Sequence, residues 1–579
     1  MPLLLASRSE LKKREVSVSF TFVALMPGID SVTPMTPKRN HLGRIVFVIL
    51  LWLVLVSSAP ASVTEGTESP SGVQDSTLRI GEIRVVRKSV FDPEIKEENR
   101  KVFLWVNKLH FLTKERIIRQ ELLFKPGDIY DQRLLDESER NLRNLGFLGK
   151  VKVEEVKQDD GRTDILVKTQ DQWSTTAYFS GEAVGNFYSV ETCVEEHNLL
   201  GWGKSLVLGY TKNTEKETRQ LSLLDPNILG TRLYLNTDIY DLSDGHLYGI
   251  TFARPLYSLE TRYAFTSQYV DEEREMDYYE GGAEFFSYQR KCKEFYFEVS
   301  KSSGEERKRI LSPFYQWEER HYAFYSPQDS SKYTELLPPD RDLQHLGLSV
   351  RFWRPRFEKL TYLDNFGRIE DLDLGWSLQG KWGFNLDDLF SKGRTDVSAL
   401  KLLFPFLLGN GEYLFFSQSA KAEFENLRWE RILSQTDLRF YWKMPYWQTL
   451  AWRALGIVSS RQEKAFQVVL DGTTGLRGFE KYRFSGANDI VFNFEDRMFT
   501  PWRILTVGLG GVLFFDGGYV WNQKLAGQDF HSDVGLGLRL GFTKSHAWRV
   551  SRIDFAKSLE TNDWVISFGT GMYFQLADL

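Results

Sequence analysis

The chain has 579 residues, 42% of them hydrophobic and 14% aromatic, and a formal net charge of −5. A nearly balanced charge without a concentrated basic stripe excludes a nucleic-acid binder that relies on phosphate contacts. The mean hydropathy is negative, which excludes a bundle of apolar membrane helices but suits a membrane β-barrel, in which only alternate residues face lipid. The length fits two or three domains, or one large barrel with an attachment.

Residues 45–56 (IVFVILLWLVLV) form an uncharged apolar run. Lys38, Arg39 and Arg44 precede it and Ser57-Ser58-Ala59-Pro60-Ala61 follows. A basic stretch, an apolar stretch and an A-x-A site predict a secretory signal peptide over residues 1–61. The run is short of the ~20 residues a membrane span needs; an N-terminal anchor is the alternative. The residues before Met35 are unusual for a leader, and a start at Met35 or Met26 gives a conventional one. Residues 62–77, rich in Ser, Thr, Gly and Glu, read as a flexible linker.

Residues 78–172 read as a small α+β module. Leu78–Val86 alternates as a strand, with Ile80, Ile83 and Val85 on its buried side. Thr113 is placed to cap a helix over Lys114–Leu123, in which Ile117, Ile118 and Glu121 follow helical spacing. Asp131 caps a second helix with Leu134, Leu135, Ser138, Leu142 and Leu145 along one face, and Gly146 stops it. Strands over Lys150–Val156 and Thr163–Thr169 complete a β-α-α-β-β order. Such a sheet leaves an edge that can accept a strand from another chain. Ile80, Ile83, Val85, Ile117 and Leu134 are the candidate client-binding residues, and a plain spacer is the alternative. The stretch LHFLTKERIIRQELLFKPGDIYDQRLLDESERNLRNLGFLGKVKVEEV (109–156) resembles a POTRA domain. That resemblance implies a periplasmic domain that handles unfolded client chains. One module is read here, unlike the several tandem copies of BamA-type assembly factors or the usual pair in two-partner-secretion transporters.

From Trp173 to Phe574, short alternating runs are separated by polar turns, and residues 575–579 form a short tail. Asn198–Gly203, Asp225–Gly230 and Ala253–Leu256 each precede a run. Gly304–Arg309 and Ser326–Arg341 read as longer external loops. The fold class is therefore mainly β. About sixteen transmembrane antiparallel strands are expected, at roughly 20–25 residues per strand and loop.

The last third of this region carries charge at strand parity. In 490–498, Ile490, Phe492, Phe494 and Met498 share one side, and Asn493, Glu495 and Arg497 the other. In 506–521, Leu509, Leu513 and Phe515 oppose Gly508, Phe514 and Asp516. In 534–542, Leu536 and Leu538 oppose Arg539; in 552–556, Ile553 and Phe555 oppose Arg552 and Asp554. A final strand over Trp564–Phe574 is expected to turn Trp564, Ile566, Phe568, Met572 and Phe574 outward. Apolar-out, charged-in alternation is the wall of a barrel with a polar lumen. The turn Gly475-Leu476-Arg477-Gly478-Phe479 lies just upstream. Its arginine can fork between Glu495 and Asp516 if the loop folds inward, with Gly475 and Gly478 permitting the tight turn. Spacing alone leaves a solvent-facing arginine equally open.

No catalytic motif emerges. The eight histidines show no HExxH, and there is no GxSxG, P-loop or dinucleotide motif. Glu495 and Asp516 could form a glycosidase-like dyad, but arginines on the same side make an ionic network the better reading. No cofactor or metal is expected. Cys193 and Cys292 have no CxxC or Cys/His spacing; unconnected thiols and a mutual bridge both stay open.

The ordered set of LRGF (476–479), Glu495-x-Arg497, FFDGG (514–518), GLGLR (535–539) and RIDFA (552–556) resembles the BamA/TamA and two-partner-secretion transporter superfamily. That resemblance implies an inward loop whose arginine, here Arg477 with Gly478 and Phe479, pairs with Asp516, Glu495 being a second partner. It also implies a cell outer-membrane barrel that inserts or translocates proteins. Its expected partners are outer-membrane lipids, unfolded periplasmic clients, and a secreted or inner-membrane-anchored protein. A passive pore, and export of lipid or polysaccharide, are the alternatives on the same scaffold.

Overall fold

A computed structural model of the chain describes residues 78–158, 162–184, 187–214, 216–324, 333–386, 395–546 and 550–576. The predicted signal peptide and linker lie outside the described residues.

The module has strand β1 (Ile80–Lys88), helices α1 (Lys101–Leu109), α2 (Glu115–Glu121) and α3 (Gln132–Asn144), and strands β2 (Leu148–Lys157) and β3 (Thr163–Asp171). The sheet order is β1-β3-β2, with β1 parallel and β2 antiparallel to β3. Helix α1 is one element more than expected. Its apolar residues run consecutively from Val102 to Val106, so no helical period marks it. Thr113 is not a cap: α2 starts at Glu115, and the Thr113 N–H and hydroxyl donate to Asp171 Oδ2 at 2.7 and 2.8 Å. Asp131 does cap α3, accepting from the Arg133 N–H at 2.9 Å, and Gly146 follows at φ +82°.

Ile80, Ile83 and Ile117 are buried in the module core with Ile118, Leu135 and Leu142; Val85 and Leu134 pack against it. All five candidate client-binding side chains thus face the module's own interior. The strand parity that makes them apolar turns them toward the helices, and the sheet order leaves β1 and β2 as its edges.

Among the described residues from Thr175 to Thr570, the chain forms one antiparallel sheet of twenty-one strand segments. The last strand (Trp564–Thr570) meets the first (Thr175–Val184) through the single pair Ser567–Glu182. The segments outnumber the sixteen expected because the first six, between Thr175 and Arg254, are only 9 or 10 residues long and closely spaced.

Connections alternate between an end that touches the module and a far end. Gly304–Arg309 lies at the module end, not externally: Lys308 Nζ donates to the Leu259 carbonyl, and the Leu259 N–H donates to Glu137 of α3 at 2.7 Å. Of Ser326–Arg341, residues 326–332 lie outside the described residues, and 333–340 sit at the far end. A connection at the module end, residues 354–376, carries the hairpin Phe357–Leu360/Glu370–Asp373. It has no counterpart in the sequence reading.

Strand parity sorts the two faces. Phe494, Leu513, Leu536, Phe555, Ile566 and Phe568 are exposed, while Glu495, Arg497, Asp516, Arg539 and Asp554 are fully buried. Met572 and Phe574 depart from expectation by being buried. The strand ends at Thr570, and Gly571 at φ +77° turns the chain off the strand path, carrying both side chains inward. Cys193 and Cys292 are buried and are not joined by a disulfide.

Candidate lumenal lock

The loop between strands Gln448–Ser460 and Asn488–Met498 enters from the far end and folds onto the buried face. Asp471 shapes its turn. The Asp471 carbonyl accepts the Gly475 and Leu476 N–H groups at 3.0 and 2.8 Å. Its carboxylate accepts the Thr473 and Tyr482 N–H groups at 2.8 and 2.7 Å. Leu476 and Phe479 then pack with Leu455, Leu470 and Val491, anchoring both sides of Arg477.

Gly475 and Gly478 do not take a positive φ; close approach is what demands glycine. A Cβ on Gly475 would lie 2.4 Å from Val491 Cγ1, and one on Gly478 would lie 2.5 Å from Asp533 Cβ. Gly478→Ala should therefore push the loop off the wall while removing no charged side chain. The expected result is a lower heat-unfolding temperature and a trypsin cut within 461–487; an unaltered digest would contradict the close-approach argument.

Arg477 forks as the motif spacing allows. Nε and Nη2 donate to Asp516 Oδ2 and Oδ1 at 2.7 and 2.9 Å, and Nη1 donates to Glu495 Oε1 at 2.7 Å. Its guanidinium lies 3.6 Å from the Phe514 ring centre and 4.2 Å from that of Tyr573. Asn493 Nδ2 holds Asp516 Oδ1 at 2.8 Å. The Arg477, Glu495 and Asp516 side chains are fully buried, so charge, geometry and ring faces must together replace hydration.

Glu495 is the junction. Its second oxygen accepts from Arg497 Nε at 2.7 Å. Arg497 then reaches Asp364 Oδ1 at 2.7 Å and the Leu363 carbonyl at 3.0 Å, both in the module-end hairpin connection. It also reaches the Phe574 carbonyl at 2.8 Å. The Leu576 N–H donates to Asp364 Oδ2 at 2.8 Å, tying tail to hairpin. One carboxylate thus joins a loop from the far end to two segments from the module end. Leu363 and Phe574 pack with Tyr413, Phe415 and Tyr441, and Phe366 packs with Phe499, Val550 and Met572. Arg539 and Arg552 form a separate triad with Asp554, at 2.6 and 2.9 Å. Tyr573 lies between Arg477 and Arg552, whose guanidinium is 5.0 Å away.

The sequence reading missed Asp364, Tyr573 and Asp437. The last pairs with Arg439 and Arg453 at 2.6 and 2.9 Å. The signal for Asp437 was present: opposite charges two apart on one strand face, as in Glu495-x-Arg497. Asp364 sits in a connection with no such period.

The hairpin connection also grips the module. Arg143 of α3 donates to Asp371 at 2.7 and 2.6 Å and pairs with Glu139; Lys359 reaches Glu139 at 2.6 Å, and Arg368 the Gly146 carbonyl at 3.1 Å. Burial pushes the Glu139 pKa up, but hydrogen bonds from Lys359, the Val153 N–H and Arg143 outweigh it and hold the carboxyl below its ordinary value of 4.5. A lowered carboxyl pKa contributes stability that is present above the ordinary value and lost as pH falls through the lowered one. The module should therefore loosen from the hairpin only in acid, read by energy transfer between dyes on module and sheet. An acid response retained by Glu139→Gln would refute this.

A single sequence-matched segment and one large antiparallel sheet with a buried ionic core define the class: a POTRA-bearing, mainly β chain. Residues 110–170 match the family model described as POTRA, surface antigen variable number repeat. A putative outer membrane protein assembly factor of Treponema pallidum is 29% identical over 145 residues, 24% of this chain and 17% of that protein. The outer membrane protein assembly factor BamA of Neorickettsia risticii is 32% identical over 106 residues, 17% of this chain and 14% of that protein. The aligned stretches span less than a fifth of either relative. CdiB from Escherichia coli is similar in structure over 93% of this chain and 100% of its own, with 11% identity and a TM-score of 0.41.

Proposed function

We propose that this chain is an outer-membrane β-barrel protein that inserts or translocates client proteins, with its POTRA module in the periplasm. The observation that carries the reading is the placement of a POTRA segment at one end of the sheet and an Arg477-locked inward loop from the other. Exposed apolar residues on alternate strand positions suit outer-membrane lipid on the outside. Closure into a barrel belongs to the same reading and is supported by the Ser567–Glu182 pair. A seam of one pair, beside neighbours with full ladders, is the joint that opens at least cost. Clients would add to an edge of the module sheet and pass to that seam. A secreted protein or an inner-membrane-anchored one would be the further partner. The buried hairpin, tail and loop disfavour a permanently open pore, because their side chains pack on the buried face of the sheet.

Depletion of the protein, followed by quantitative profiling of outer-membrane and secreted proteins, tests the reading. A defined set of barrel proteins, or one secreted product, should fall. Unchanged levels in both fractions would refute it.

A further inference from the structure

Helix α1 lies in the connection between β1 and α2, outside the matched POTRA segment, and the proposed lock does not use it. One side is fixed to the sheet. Phe103 is buried with Val90 and Phe91, stacking on Phe91 at 4.3 Å, and Trp173 packs against them just before the first strand. Lys544, in the turn after strand His531–Phe542, donates to the Val90 carbonyl at 3.1 Å and pairs with Glu98 at 2.7 Å. The other side is bare and apolar: Val102, Trp105, Leu109 and Phe111 are 57, 60, 53 and 60% exposed. Such a cluster of large apolar side chains, on α1 and the residues just after it, marks a contact surface.

Two observations identify its occupant. The first is charge: no acidic residue occurs between Glu98 and Glu115, while Arg100, Lys101, Lys108 and Lys114 do, and the first three are exposed. The second is continuity with the exposed face of the sheet. The Lys114 N–H donates to the Gly201 carbonyl at 3.0 Å, and its ammonium lies 4.5 Å from the Trp202 ring centre. Leu200 and Trp202 in that turn are exposed, and the strands beside it continue outward with exposed Leu208 and Leu221.

We propose that α1 and the Leu199–Gly203 turn form a collar that seats in the phospholipid leaflet at the module end of the sheet. Trp105, Leu109 and Phe111 enter the acyl boundary, and Arg100, Lys101 and Lys108 meet headgroup phosphates. This is the arrangement of an interfacial helix: apolar side chains in, basic ones at the phosphate level, an indole at the boundary. The collar holds the module at a set attitude to the membrane beside the first strand. The inference rests on the barrel reading.

The test uses the chain reconstituted in phosphatidylethanolamine–phosphatidylglycerol vesicles. An environment-sensitive fluorophore is placed at Trp105→Cys, at Lys125→Cys or at Leu536→Cys. Lys125 is exposed in the turn beside the start of β1; Leu536 is on the exposed strand face. Brominated lipid should quench position 105 and shift its emission to the blue, as at 536, and leave 125 unaffected. Quenching at 536 with a water-like signal at 105 overturns the inference and spares the barrel. Water-like signals at both overturn the two together. Shielding at 105 from both lipid bromine and aqueous iodide points to a protein occupant and also overturns it. Because a label could itself draw the helix into lipid, Trp105→Glu with Leu109→Glu is compared unlabelled. Protease access to 89–112 should rise in vesicles and match the unsubstituted chain in detergent; equal access in vesicles overturns the inference.

Discussion

Asp516→Ala should lower stability by about 3–5 kcal/mol, the range for stripping one partner from a buried ion pair. Arg477 is fully buried and would keep a single carboxylate, Glu495, for a guanidinium that now bonds both. The readout is the temperature at which the folded band in a detergent gel converts to the unfolded one. Arg477→Lys should fall nearly as far, because an ammonium is a point charge and cannot fork between Asp516 and Glu495. The combination Arg477→Met with Asp516→Leu separates two meanings of the lock. It removes both charges, so stability should recover, as apolar replacement of a buried pair is often neutral or better. Client handling should not recover if the lock sets the loop's position. Full activity in a stable double variant would reduce the lock to a packing device, and an unchanged unfolding temperature in Asp516→Ala would refute the pairing itself.

Arg497→Met should open the module end. This one side chain holds Glu495, Asp364, the Leu363 carbonyl and the Phe574 carbonyl. Without it the hairpin connection and the tail lose their shared partner, and Asp364 and Glu495 each lose a cation. Larger or more frequent conductance steps in planar bilayers are the expected result, with new protease cuts in 354–376. Asp364→Asn should give the milder form, since the Leu363 and Phe574 carbonyls still accept from Arg497. Silent bilayers and an unchanged digest in both variants would show that the hairpin is held without Arg497, by its apolar contacts and its pairs with the module. The two substitutions also probe coupling, because Glu495 touches both arginines. A double-variant effect smaller than the sum would place the far-end loop and the module-end hairpin in one network.

What could be read from the residues alone was whatever strand alternation and short-range spacing encode. A side chain's face follows from its parity, so the burial of Glu495, Arg497, Asp516, Arg539 and Asp554 opposite exposed Phe494, Leu513 and Leu536 was legible. So was Asp131 as a cap, because the bond it makes spans two residues. The Arg477 partners were legible as candidates but not as a contact: whether a loop folds in or out depends on its fit against Val491 and Asp533, which lie on strands outside the loop. The tertiary structure alone decided the rest. It set Met572 and Phe574 inward through one positive-φ glycine. It brought Asp364 to Arg497 across 133 residues, and it spent the module's apolar strand face on its own core. Each is a long-range choice between burial partners, where local spacing carries no information and packing decides.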